Sequence, residues 1–367
     1  MRKHDKCHVD IDIWKKPAYR FAKREPLAAE AKGQGGAMHH RSLDPQLLFL
    51  LFVNAAVVVA AMVLTGPEFT SAYNFQSMAS QVPELGLLAL GVMLAMISGN
   101  GGIDLSGIAL ANLAGIVGYQ IAVATVDPSV APLSYILVFS CGALLIGVIG
   151  GAINGALIGY AGVTSIIATL GTQLFFAGVA VGLTGGSAQM LGYIPMFDSF
   201  GNVPGMGIPL TFALFIIIAL AVAAMLKFTK FGTHLFLMGS NANAAYFAGI
   251  PVRSVLFRTF FLSGILASVA GIVIAARTSS VKWDYGTSYV LAAILIAVMA
   301  GVRPQGGYGR VVCVVLSASA LQLLSSLFNF MALSNFFRDF AWGVLLLMFL
   351  AFSRFDYRTW LPMRRPS

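Results

Sequence analysis

Neutral hydrogen-bonding side chains punctuate long apolar stretches at Asn112, Gln120, Asn154, Thr169, Thr172, Gln173, Gln322, Ser325 and Asn329. The ionisable side chain nearest a span interior is Asp104. Such neutral groups can exchange hydrogen bonds with the hydroxyls of an uncharged polyol or sugar in transit. They can equally tie one apolar helix to another, as Ser, Thr, Asn and Gln do between membrane helices. Asp104, Asn112, Thr169, Gln173 and Gln322 are the expected pathway residues, with Asp104 or Ser106 also suited to capping the helix that follows.

Bond-making chemistry has no pattern to rest on. There is no G-x-S-x-G, no H-E-x-x-H, no histidine between His40 and His234, and no Gly-Lys pair, so no P-loop. The chain is therefore expected not to be an enzyme, and any ATP would be hydrolysed on another polypeptide. An ion-coupled carrier needs ionisable groups in its spans, and Asp104 is the one candidate. Cys7 lies in a polar tail, while Cys141 and Cys313 sit in apolar runs at no metal or disulfide spacing. His4, Cys7, His8, His39 and His40 match no standard metal site either.

The elements that must hold these groups follow from composition. Of 367 residues, 58% are hydrophobic and 10% charged, and mean hydropathy is +0.84, far from the quarter-charged surface of a soluble domain. Apolar blocks long enough for membrane helices recur at about 46–65, 82–99, 105–125, 132–158, 164–184, 208–227, 255–276, 287–301, 310–330 and 335–353. The expected fold is all-α and polytopic, with about ten transmembrane helices; the eighth is short enough to be broken or re-entrant. The transmembrane domain is placed at 46–353, between a disordered basic tail at 1–45 and a second tail at 354–367. Met38, just before the first span, is the expected translation start.

Net charge is +9, and its distribution reports topology rather than nucleic-acid binding. With the N-terminus inside and an even number of spans, 20 of the 23 Lys and Arg residues fall inside. Arg277, Lys282 and Arg338 fall outside with Glu68, Glu84, Asp127, Asp198, Asp284 and Asp339. That bias puts both termini in the cytoplasm.

The same rule places the loop Lys227 to Arg258 in the cytoplasm. Within it Ser240 and Asn241 are good N-caps, Ala242 to Ala248 is helix-forming, Gly249 suits a left-handed stop and Pro251 forbids continuation. The outcome is a helix of about two turns, too short to span, with Ala244 and Ala245 expected to leave a low surface beside Tyr246 and Phe247. An arginine at Ala245 is expected to block a partner docking there. Glycine-rich breaks interrupt the apolar pattern at Ser98 to Gly107 and Ala300 to Arg310, either as plain turns or as backbone facing a pathway. Gly147, Gly151 and Gly155, four residues apart, predict a close helix contact within the chain or across a dimer.

Four stretches in register carry a resemblance: GGIDLS (101–106), ATLGT (168–172) with LTGG (183–186), GSNANAAYFAGI (239–250) and GGYG (306–309). Together they resemble the permease subunits of ATP-binding cassette importers of the ribose, galactose and autoinducer type, related to the branched-chain amino acid permeases. The resemblance covers most of 85–352. It implies import of a sugar or sugar-like neutral solute across a bacterial inner membrane by alternating access, with no cofactor on this chain and ATP on the partner. The implied partners are an ATPase subunit, a periplasmic substrate-binding protein, a second permease subunit and membrane lipid, with no nucleic acid. Gly239, Asn241, Ala244, Ala245, Gly249 and Ile250 match the family's coupling-helix pattern. The sequence departs from the family at Ala242, Asn243 and Tyr246 in that loop, at Ala177, and at Val290 to Ala293. Those departures leave open which ATPase it accepts and whether it pairs with itself or with another permease. The alternatives are a branched-chain amino acid permease, an ion-coupled secondary carrier, and a structural membrane subunit.

Overall fold

The computed structural model describes residues 44–202, 204–205 and 207–354; the two tails and the start at Met38 lie outside them. Ten helices occupy the ten apolar blocks. They are α1 (Pro45–Thr65), α2 (Ala72–Ile97), α3 (Gly107–Thr125), α4 (Pro132–Gly159), α5 (Ser165–Thr184), α7 (Leu210–Phe228), α10 (Val252–Thr278), α11 (Tyr289–Met299), α12 (Val311–Phe330) and α13 (Asn335–Arg354). Three shorter helices lie between them: α6 (Pro195–Asn202), α8 (Lys230–Ser240) and α9 (Ala242–Phe247). Strands among the described residues form two pairs of two-residue strands, β1 (Gln189–Met190) with β4 (Ser280–Val281) and β2 (Pro204–Gly205) with β3 (Ile208–Pro209), both antiparallel. Eight of the described helices are long and apolar enough to cross a membrane. The protein is an all-α, multi-pass membrane protein.

α2 and α10 form the centre. Every residue from Val82 to Gly99 is buried, as expected of a helix apolar on all faces. α10 packs against α4, α2 and α3, whereas α1, α4, α5 and α7 keep broad outer faces. The sequence places the start of the α2 span at about residue 82, where the apolar block begins. Instead the helix is capped by Ser71, whose Oγ accepts from Asn74 N, and runs through Pro83. It gains a polar first three turns by doing so.

Glycine decides where helices meet. A Cβ on Gly151 would lie 2.6 Å from Phe261 O and 3.1 Å from Gly264 Cα, and one on Gly155 2.6 Å from Phe257 O. The four-residue glycine spacing is thus an intrachain seam between α4 and α10, closed from the other side by Gly264.

α11 has 11 residues and reaches only about 16 Å at 1.5 Å per residue, short of a core about 30 Å thick. The chain completes that pass with the non-helical stretch before it. Basic residues Lys230, Arg253, Arg303 and Arg310 gather at one end of the bundle, hereafter the basic end. The opposite, acidic end carries Glu68 and Asp127, beyond α1 and α3.

Gly151→Ala is expected to destabilise the protein by about 1–3 kcal/mol, because backbone rather than a mobile side chain must yield. Gly171→Ala, where a Cβ meets nothing within 4 Å, should be neutral or slightly stabilising. Thermal unfolding in detergent compares the two, and equal melting temperatures would refute the seam.

Candidate functional site

Beyond Ile97 the chain does not simply turn. Gly99, Asn100 and Gly101 adopt left-handed φ of 81°, 53° and 69°, and residues 102–106 then run non-helical and largely buried before α3 begins. A Cβ on Gly91 would touch Ser263 Oγ at 2.7 Å, and Ser263 Oγ donates to Asp104 Oδ2 at 2.6 Å. Gly91 precedes the end of α2 by six residues, so Asp104 lies about 9 Å inward along that helix. The first glycine-rich break is therefore re-entrant, not a plain turn.

Non-helical backbone at such depth needs partners from protein or water. Asp104 supplies them at the mouth of α3, where its Oδ1 accepts from Ser106 N at 3.0 Å and Ser106 Oγ at 2.7 Å. Asn154 on α4 donates to Ser106 Oγ at 2.8 Å, and Thr172 on α5 donates to Asn154 Oδ1 at 2.6 Å. Thr169 donates to Ile103 O at 3.2 Å and Ser165 to Gly101 O at 3.1 Å. Asp104, Ser106, Asn154, Thr169, Thr172 and Ser263 are all buried. This chain of groups links α3, α4, α5 and α10.

The remaining pathway candidates lie elsewhere. Asn112 is buried on α3 and donates to Trp283 O and Tyr285 O, both at 3.0 Å, pinning the non-helical stretch that precedes α11. Gln173 is half-buried on α5. Gln322 is buried on α12 and donates to Gln81 Oε1 of α2 at 3.1 Å. Asp104 and Thr169 are thus brought together, while Asn112, Gln173 and Gln322 are not.

Two residues read as outer-loop charges form an ion pair between a buried Glu84 and a half-buried Arg277. Glu84 stands in the fourth turn of α2 and accepts from Arg277 Nε at the end of α10. Tyr285 OH also donates to Glu84 Oε2 at 3.0 Å, and Arg277 Nη2 donates to Tyr285 OH at 2.7 Å. Asp104 is therefore not the sole ionisable group inside the bundle. The signal for Glu84 was the run of polar residues after Ser71, which extends α2 outward and moves this carboxylate into it.

At the basic end, α8 is a helix where the loop reading left only flanks. Thr229 caps it, its Oγ1 accepting from Gly232 N at 3.3 Å, and it ends against both glycine-rich breaks. Gly239 has no room for a Cβ beside Gly307 N, and Gly306 none beside Gly99 Cα; Gly307 N donates to Ile97 O at 3.0 Å. α9 follows, with Asn241 Oδ1 accepting from Ala244 N at 3.0 Å and Gly249 left-handed at φ 77°. Ala245 and Ile250 turn inward and are buried, whereas Ala244 is exposed and Tyr246 and Phe247 are 70% and 78% exposed. Only one of the two alanines presents a low surface. Nearby, Arg310 donates to Asp44 and joins the starts of α12 and α1. That hydrogen bond holds the Asp44 carboxyl below its usual range, so the tie persists at neutral pH and is lost only as pH falls below the ordinary carboxylate value.

Residues 74–352 match the family described as branched-chain amino acid transport system / permease component. The ribose import permease protein RbsC of Escherichia coli (strain K12) is 31% identical over 298 residues, covering 80% of this chain and 90% of that protein. The autoinducer 2 import system permease protein LsrD of Photorhabdus temperata is 30% identical, covering 77% and 84%. The D-allose transport system permease protein AlsC of Escherichia coli (strain K12) is 28% identical, covering 83% and 90%. No solved structure matches the chain.

Asp104→Asn keeps the shape and an acceptor for Ser106, and its amide can donate to Ser263, so stability should change by less than about 1 kcal/mol. Asp104→Leu strands three donors at roughly 1–3 kcal/mol each and should lower the yield of folded protein sharply. Size-exclusion profiles and melting curves of the two variants decide it: equal behaviour would mean that the re-entrant stretch does not depend on this carboxylate.

Proposed function

Because the chain belongs to the family described as branched-chain amino acid transport system / permease component, we propose that it is the membrane subunit of an ATP-driven importer for a neutral, sugar-like solute. Its relatives' names specify ribose, autoinducer 2 and D-allose, and family membership favours this reading over an ion-coupled carrier. A zwitterionic amino acid would call for charged groups to hold its two ends. Glu84 and Arg277 already neutralise each other, with Tyr285 bonded to both. The observation that carries the mechanism is the stacking of α9 on α8 at the basic end, with Tyr246 and Phe247 outward and Gly239 against both breaks.

In this mechanism an ATPase subunit docks on the Ala244, Tyr246 and Phe247 face, with ATP bound and hydrolysed there. Its closure displaces α9 and α8 together. The glycine contacts pass that displacement, with little slack, to the end of α2, the re-entrant stretch and the start of α12. A substrate-binding protein delivers solute at the acidic end, and a second permease subunit completes the pathway. The protein resides in a bacterial inner membrane with both termini cytoplasmic, a reading supported by the placement of 20 of its 23 Lys and Arg residues.

Ala244→Arg keeps a good helix former on the outward face and should weaken ATPase binding by about 2 kcal/mol, roughly thirtyfold, with the permease still inserted. Ala245→Arg instead buries a guanidinium under α9 and should lower the amount of folded permease itself. Pull-down of the ATPase and uptake in proteoliposomes measure both. Normal ATPase binding and uptake by Ala244→Arg would reduce α9 to an ordinary loop.

A further inference from the structure

Two facing stripes of polar side chains line a recess between α2 and α12. On α2 they are Asn74, Ser77 and Gln81, spaced i, i+3 and i+7; on α12 they are Gln322, Ser326 and Asn329, spaced i, i+4 and i+7. Each set therefore lies on one helix face, and the two helices run in opposite directions, so amide, hydroxyl and amide meet amide, hydroxyl and amide. Gln322 Nε2 donates to Gln81 Oε1 at 3.1 Å at the floor, and Ser326 Oγ donates to Asn74 Oδ1 at 3.1 Å nearer the rim. The recess is open to the outside and holds about 310 Å³, at the lower end of ligand pockets.

Position and unspent bonding distinguish this recess from the Asp104 cluster. Gln322 precedes the end of α12 by eight residues, which puts the floor about 12 Å below the acidic end. The Asp104 cluster is closed, whereas here Gln322 Oε1 and the Asn329 amide find no partner among the described residues. Two hydrogen bonds tie the stripes together, and the recess beside them stays open. Amide groups facing lipid at that depth are unfavourable, so the recess opens onto water.

We propose that this recess is a transient binding site, on the delivery side of the pathway, for a neutral polyhydroxylated solute of monosaccharide size. The proposal rests on the sugar-importer reading and adds the site. Its lining carries no net charge, matching an uncharged ligand, and amides and serine hydroxyls both donate and accept, as sugar hydroxyls do. Met78 and Phe330 supply apolar wall for the C–H faces of a ring.

The test uses the complete importer with Cys7, Cys141 and Cys313 replaced by serine, and labelled D-ribose and D-allose as probes. Ser326→Cys should react with a membrane-impermeant thiol reagent added on the delivery side, and more slowly while a probe is being transported. Gln322→Leu should lower sugar moved per ATP about tenfold and Asn329→Ala about threefold, the range of one net hydrogen bond, with ATP hydrolysis retained. Asn329 is exposed and its side chain bonds to nothing among the described residues, so its variant reports even if Gln322→Leu fails to assemble. Unchanged sugar per ATP in Asn329→Ala, or an unreactive Ser326→Cys, would overturn the site while leaving the importer reading intact. Failure of the unsubstituted importer to move either sugar would overturn the parent reading and this one with it.

Discussion

Inside a bilayer every backbone N–H and C=O must find a partner within the protein, at a cost of several kcal/mol for each that does not. This chain places non-helical backbone inside the bundle twice, at 98–106 from the basic end and at 279–288 from the acidic end. A set of its buried polar side chains answers that constraint. Asp104, Ser165 and Thr169 serve the first stretch, with Ser106, Asn154, Thr172 and Ser263 bracing Asp104. Asn112 holds the second by two carbonyls, and Tyr285 within it is tied to the Glu84–Arg277 pair. Both stretches border α3, the first at its start and the second at Asn112.

Glycine supplies the complementary half of the design. Helices that meet backbone to backbone leave no side-chain layer to absorb movement. α4 and α10 meet this way along Gly147, Gly151, Gly155 and Gly264, giving the bundle a rigid spine. Gly99, Gly239, Gly306 and Gly307 meet at the basic end, where α8 touches the end of α2 and the turn before α12. Placed beneath the exposed aromatics of α9, this second junction is suited to carry force rather than to store it.

The polar groups thus divide by whether their bonding capacity is spent. Those near Asp104 are closed and structural in geometry, even though they interrupt a predicted pathway. Those between α2 and α12 are partly unspent and border empty space. An importer handling an uncharged solute needs both kinds: fixed polar cores that let helices break, and open amides that exchange bonds with hydroxyls and release them.

Local features were legible in the residue order because their causes are local. Ten apolar runs, the Asn241 cap, the Gly249 stop, the basic asymmetry and the four family motifs all announce themselves within a few residues. The polar character of Asp104, Thr169 and Gln322 was equally plain, but not which of them was closed and which open. Only the tertiary structure decided that Ala245 faces in and Ala244 out, that the glycine spacing of α4 meets α10, and that α2 runs through Pro83. It also paired Glu84 with Arg277, 193 residues away, and set Asn74 and Gln81 opposite Ser326 and Gln322. Helices apolar on every face carry no period that separates inward from outward. In such helices a polar group's role depends on partners from distant segments, and those are chosen by packing.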